Sequence, residues 1–261
     1  MTQLDTSFCL LDVNSDLTAI EDIQRQAWRL DDLIIVPTHL FQAVCKYDAG
    51  LVVGALAEGK LVGFILALET RDKQTQHIHM IGVHPDWQGM GQNTHVGFGL
   101  LRCYREAVLP RGVKEARWTF DPLLGQNANL YFRKIGVRAV LYEPDAYGQS
   151  SETGIYQGLP TDRLLVAWRL EKERDRFKLS PEDLHSIPAV ISVGELKGNF
   201  FVMEIPLDMQ ELKRRNPQEA LEIRLRTREI FLSAIMRGYQ VIDFVHDREE
   251  GRNFYLFCHF V

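Results

Sequence analysis

The segment 77–93, HIHMIGVHPDWQGMGQN, constrains the fold of this chain more than any other. Residues 77–83 form an apolar stretch that reads as a strand, 88–93 (QGMGQN) form a glycine-bearing turn, and a helical pattern follows over about 94–109. The first turn of a helix has backbone N–H groups without intrahelical partners and carries the positive end of the helix dipole. This order therefore makes a seat for an anion such as a phosphate. Gly89 and Gly91 allow close backbone approach and positive φ without a Cβ clash. Two glycines alone are weak evidence, so the surrounding elements must say what the seat is for.

Composition removes several classes. The chain has 261 residues, 46% of them hydrophobic, enough for one large core or two ordinary ones. Its 30 Lys+Arg against 35 Asp+Glu give a net charge of -5 with no long basic block, which argues against a nucleic-acid partner and against an anionic membrane surface. The longest apolar runs, 51–57 (LVVGALA) and 61–68 (LVGFILAL), fall far short of the roughly 20 residues of a membrane span and read as buried strands. No basic n-region precedes an apolar core at the N-terminus, so no signal peptide is expected. Cys9, Cys45, Cys103 and Cys258 are scattered, with no CxxC pair, as in a cytoplasmic protein with reduced thiols.

The order of elements is mixed α/β. A first strand at 8–13 leads to a helix capped by Ser15 or Asp16 and running to about Trp28, and a second helix starts near Thr38. The two apolar runs, joined by Glu58-Gly59-Lys60, form an antiparallel hairpin. After the helix from Thr94, residues 115–120 (EARWTF) alternate like a strand, 127–134 are helical, 137–143 and 164–170 are strands, and 144–161 form a long loop. The charge run 171–178 (EKERDRFK) marks a boundary, giving domains 1–172 and 173–261. The second is an α+β unit: strand 200–205, a long helix, and strands 240–245 and 253–260. That helix carries Asn216 as N-cap, Pro217 in its first turn, Glu219 at the capping-box position and Gly238 past its end.

With these elements in place, the chain resembles the GNAT superfamily of acyl-CoA-dependent N-acyltransferases. The family pattern Val-x-Pro-x-x-(Arg/Gln)-Gly-x-Gly-x-(Gly/Ala) is matched in register by Val83, Pro85, Gln88, Gly89 and Gly91, and a later Ala…Lys-x-Gly by Ala128, Lys134 and Gly136. The resemblance covers about residues 7–170 and implies a mixed, mostly antiparallel sheet flanked by helices. The phrases WTFDPLLGQNANLYFRKIG and GLPTDRLLVAW are similar to a bacterial branch associated with N-acylation of amino acids, including N-succinylation. Two positions depart from the pattern. Asn93 replaces the last glycine, and Phe132 stands where a tyrosine general acid is frequent. Tyr131 is one position away, about 100° around a helix.

The resemblance implies that the pantetheine arm of acetyl-CoA or succinyl-CoA lies along the strand of Ile81 and Val83. The pyrophosphate then sits on the N–H groups of Gln88, Gly89, Met90, Gly91, Gln92, Asn93 and Thr94. Gly82 would mark where this strand splays. A period of two puts His77, His79, Ile81 and Val83 on one face. An imidazole can take a proton from an ammonium substrate, so His79 is expected as base with His77 as relay. The alternative is a pair of half-buried histidines hydrogen-bonded in the sheet. His77, His79, His84 and His95 do not make a convincing metal set, and no metal is expected. Asn127 either bonds the pantetheine amide or caps its helix, and Phe132 packs against the pantetheine arm or into the core.

In the tail helix, Arg224 and Arg228 fall inside an apolar arc of Leu221, Ile223, Leu225, Phe231, Leu232, Ala234 and Ile235. An unpaired buried guanidinium is costly, so they form either internal salt bridges or a fork for a substrate carboxylate. The expected activity is direct acyl transfer in a ternary complex to the amine of a small molecule, an amino acid by the narrower resemblance. A non-catalytic acyl-CoA-binding or sensing protein is the alternative. A homodimer is allowed but not specified.

Overall fold

The computed structural model describes residues 6–28, 32–88, 95–148, 158–172, 178–184 and 186–259. They form a mixed seven-stranded sheet of order β1-β2-β3-β4-β5-β7-β6 and a three-stranded sheet of order β8-β10-β9. The chain divides into two compact units. One takes residues up to Trp118 together with Arg169–Lys172, and the other takes the rest of the described chain. This division does not follow the boundary at 172/173 suggested by the charge run.

In the first unit, β1 (Thr6–Leu11), β2 (Gly50–Ala57), β3 (Lys60–Glu69) and β4 (Thr75–Val83) pair antiparallel in sequence order. The β2–β3 turn has Glu58 at φ 50° and Gly59 at φ 75°. Both central residues are left-handed, as in the hairpin turn whose twist matches its strands. β2 and β3 are covered on both faces. Helices α1 (Ala19–Trp28) and α2 (Thr38–Lys46) contribute Ile20, Ile23, Phe41 and Val44 to a cluster with Val52, Phe64 and Leu66. Helix α3 (His95–Val108) lies on the other face, where a Cβ on Gly63 would approach Val96 and Leu100 to 3.1 and 3.2 Å. Burying each such Leu, Ile or Phe contributes about 1.5–3 kcal/mol. Strand β5 (Glu115–Phe120) starts in this unit, parallel to β4.

The second unit joins the later part of the expected first domain to the tail. Helix α4 (Gly125–Ala128) runs into a π-helical segment, Asn129–Ile135, closed by the i→i−5 bond from Gly136 N–H to the Tyr131 carbonyl at 2.8 Å. It continues through the hairpin β6 (Arg138–Glu143) and β7 (Arg163–Arg169), the short α5 (Pro181–Leu184), β8 (Phe200–Ile205), α6 (Met209–Arg215), α7 (Pro217–Met236), β9 (Tyr239–Asp247) and β10 (Arg252–His259). Asn216 caps α7 as expected, accepting from Glu219 N–H at 3.3 Å and donating to the Glu219 carboxylate at 3.0 Å. Helix α6 is an addition to the sequence reading. Asp208 caps it, accepting from Gln210 and Glu211 N–H at 2.9 Å each.

One aromatic core explains why this unit crosses the expected boundary. Phe120 stacks edge-on against Tyr131, Phe132 against Tyr255, and Phe231 against Tyr255 and Phe257, while Tyr142 lies parallel to Phe231 at 5.2 Å. Rings from 120–142 therefore find their partners in α7 and β10. Such pairs contribute about 0.5–1.5 kcal/mol beyond their buried area.

Candidate active site

Within β4 the register against β3 changes. Met80 opposes Leu66 and Ile81 opposes Ile65, but Ile78 opposes Ala67 and His77 opposes Leu68, so His79 is the extra residue of a β-bulge. Opposed residues share a face of the sheet. Leu68 and Met80 pack on the α1/α2 cluster, which places His77 on their side. Ile81 and Val83, opposite Ile65 and Gly63, share the α3 side. The even alternation expected for His77, His79, Ile81 and Val83 is thereby corrected, because one inserted residue shifts the side-chain phase. The two imidazoles stay neighbours, with ring centroids 6.3 Å apart.

At this end of the sheet one face is packed and the other open. On the packed face Gln76 and Ile78 are buried, and Gln76 Oε1 accepts from the Tyr104 hydroxyl of α3 at 3.0 Å. On the open face Thr75 and His77 are half-buried and His79 is exposed. β5 repeats the pattern, with Ala116 and Trp118 buried, Glu115 half-buried and Arg117 exposed. Burial of the inner ring edges lowers the pKa of both histidines below the ordinary imidazole value of about 6.5, and for His77 the neighbouring His79 adds to the effect. Both are therefore neutral at neutral pH, the state in which an imidazole accepts a proton.

The parallel ladder between β4 and β5 consists of Thr75, Gln76 and His77 with Glu115, Ala116 and Arg117. Beyond His77 that edge of β4 has no β5 ladder among the described residues. On that edge the backbone from Ile78 to Gly82 can pair with an extended, amide-bearing chain, the chemistry of a pantetheine arm. Ile81 lies on this stretch and Val83 at its end. Gly82 has a different reason from the one expected. A Cβ there would come within 2.6 Å of the Phe64 ring, which packs edge-on against Trp28 and Phe41, so Gly82 serves core packing. The strands part earlier, after His77.

Gln88 ends a 3-10 turn, Pro85–Trp87, and its N–H donates to the Pro85 carbonyl at 3.1 Å, so the expected contribution of that N–H to an anion seat is not available. Its side-chain amide donates to the Val83 carbonyl and ties the turn to the end of β4. Gly89, Met90, Gly91, Gln92, Asn93 and Thr94 lie outside the described residues. Among the described residues no group of three or more His, Cys, Asp or Glu side chains could hold a metal ion, and no helix is long and apolar enough to cross a membrane.

The remaining site residues belong to the second unit. Asn127 does not cap α4, whose N-cap is Leu124; it is the third helical residue and half-buried. Phe132 is 2% exposed and packs against Phe120 and Tyr255, so its ring belongs to the aromatic core. Arg224 is 1% exposed and holds Asp121 with two bonds, at 2.8 and 2.6 Å. Arg228 holds the fully buried Asp162 at 2.9 and 2.6 Å and reaches Asp145 at 3.2 Å. Burial pushes the Asp162 carboxyl up, but hydrogen bonds from Arg228, Tyr142 and the Asp145 N–H outweigh it and hold the group below its ordinary value. Both guanidiniums form internal salt bridges, one of the two arrangements the sequence allowed for them. The buried stripe of α7 runs through Ala220, Arg224, Thr227, Phe231 and Ala234, while Leu225 is exposed. Asp121, which the sequence left without a role, is the partner that Arg224 requires.

Residues 17–136 match the model of the acetyltransferase (GNAT) family. Among solved structures, ribosomal-protein-S18-alanine N-acetyltransferase from Escherichia coli superposes with a TM-score of 0.50 at 16% identity, covering 67% of this chain and 100% of its own. yncA from Salmonella typhimurium, solved with its cofactor acetyl-CoA, does so with a TM-score of 0.50 at 16% identity, over 67% and 99%. At such identities the likeness speaks to the fold. No curated protein gives a significant match. Over residues 17–136 the chain is similar to the GNAT acetyltransferases, and the solved structures share its fold.

Proposed function

We propose that the protein transfers an acyl group from acetyl-CoA or succinyl-CoA to the amine of a small molecule, an amino acid being the acceptor class, in one ternary complex. The observation that carries this reading is the β4 bulge, which sets two neutral imidazoles side by side on the open face of the strand whose free edge suits the acyl donor. His79, the more exposed, accepts the proton of the acceptor's ammonium group, and His77 relays it. The freed amine attacks the thioester carbonyl, a C–N bond forms and the C–S bond breaks, and the second proton lost by the nitrogen passes through solvent to the leaving thiolate. Backbone donors along Ile78–Gly82 orient the donor arm, and the start of α3 favours its phosphates.

The test is a screen of acetyl-CoA and succinyl-CoA against amino acids and simple amines, followed by free thiol. With an active pair in hand, the double variant His77→Ala, His79→Ala is expected to lose about 10²–10⁴-fold in kcat with little change in Tm. An unchanged kcat removes the base assignment. Stabilisation by CoA without turnover of any amine points to the acyl-CoA-binding alternative.

A further inference from the structure

With Arg224 and Arg228 held by internal carboxylates, the recognition of the acceptor falls to another group, and the open face carrying the histidines contains one. Arg117 on β5 is the direct register neighbour of His77 on β4, and strand spacing puts their backbones about 5 Å apart. Both lie on the open face, whereas their sequence neighbours Gln76, Ile78, Ala116 and Trp118 are all buried. The Arg117 side chain is 45% exposed, and its Nε donates to Glu115 Oε1 at 2.6 Å. Glu115 holds the guanidinium at Nε, and the charge of Arg117 also acts on the carboxylate of Asp72. Asp72 is itself held by Gln74 N–H at 3.0 Å and the Thr75 hydroxyl at 2.8 Å. The bond at Nε fixes the plane of the group, and among the described residues its terminal nitrogens hold no hydrogen bond. A pinned guanidinium with its terminal edge available suits a planar two-oxygen anion.

We infer that Arg117 is a specificity-determining residue that binds the carboxylate of the acceptor and so sets its amine against His77 and His79. This rests on the acyltransferase reading above and names the acceptor chemistry for the same site: a small amine that bears a carboxylate within a few bonds of its nitrogen. The acidic pair Glu115 and Asp72 gives the face a second use, since negative charge beside the guanidinium also attracts the ammonium end of a zwitterion. A Lys at position 117 keeps the charge but cannot offer two parallel N–H donors.

The experiment compares an active amino acid with its carboxamide and its phosphonate analogue, in wild type, Arg117→Gln and Arg117→Lys. Wild type is expected to favour the amino acid over the carboxamide by tenfold or more in kcat/KM. Arg117→Gln should raise KM for the amino acid at least tenfold, leaving KM for acyl-CoA and the rate with the carboxamide unchanged. Arg117→Lys should recover part of the loss. Equal use of acid and amide, an amino-acid KM unmoved in Arg117→Gln, or a preference for the phosphonate overturns the assignment. Should wild type acylate no amine at all, the transferase reading fails. Titration of the amino acid into the CoA complex of wild type and Arg117→Gln then reads the assignment separately, and equal affinities overturn it.

Discussion

The two units use their charged side chains in opposite ways. In the second unit, Arg224 and Asp121 are both almost fully buried and satisfy each other twice, and Asp162, with no exposed surface, is enclosed by Arg228 and by the Tyr142 hydroxyl at 2.7 Å. In the first unit, His77, His79 and Arg117 lie on one open face; the imidazoles are neutral, and among the described residues the guanidinium is hydrogen-bonded at Nε alone. The difference shows where function can reside. A charge whose hydrogen-bonding capacity is filled from within holds a fold together, while one on an exposed face with unfilled donors or acceptors can act on something else.

The sharpest way to break this comparison is Arg224→Ala. It leaves Asp121 buried without its partner and is expected to destabilise the protein by about 3–5 kcal/mol, read by denaturant unfolding. The apolar double variant Arg224→Met, Asp121→Leu should recover most of that loss, because the desolvation cost of both charges is removed with them. A small effect of Arg224→Ala would mean that the pair is not the structural element its burial implies. Arg228→Ala comes next. It removes the main partner of Asp162 but leaves the Tyr142 and Asp145 N–H bonds, so about 1–3 kcal/mol is expected. KM for a carboxylate-bearing acceptor should not move, and a rise would return Arg228 to the substrate.

The smallest effect concerns the histidines. Their folded pKa values are lower than in the unfolded chain, so the unfolded state binds more protons between those values and about 6.5. Stability is therefore complete above pH 6.5 and declines as pH falls through that window. The acid limb of kcat should lie below pH 6.5 and disappear from the residual activity of the double histidine variant. An acid limb at or above 6.5 would contradict burial as the force acting on these rings.

Local chemistry was readable along the chain. Asn216, Pro217 and Glu219 specify the start of α7 within a few residues, and the polar turn at 58–60 specifies the β2–β3 hairpin, because caps and turns depend on neighbours in sequence. The strand–turn–helix order read around QGMGQN led to the family resemblance for the same reason. What misled was any inference that needed a partner. A strict period of two predicted one face for His77, His79, Ile81 and Val83, but a bulge arises from pairing with β3, and nothing within HIHMIGV announces it. The wheel of α7 located Arg224 and Arg228 among apolar residues, yet only the arrival of Asp121 and Asp162, 103 and 66 residues distant, decided between salt bridge and substrate fork. Arg117 was visible as the polar residue of an alternating strand, but its position beside His77 depends on the β4–β5 register.

The sequence by itself determined the class of fold and most of the strands and helices, which follow from periodicity and capping, and it carried the resemblance to acyl-CoA-dependent acyltransferases in a contiguous motif. The tertiary structure alone decided which charges are closed and which are open, and drew residues 119–148 and 158–168 into one unit with the tail. The physical reason is common to both. Burial, register and ion pairing are properties of residues brought together from distant parts of the chain, and a linear pattern can show that a charge needs a partner without showing where that partner comes from.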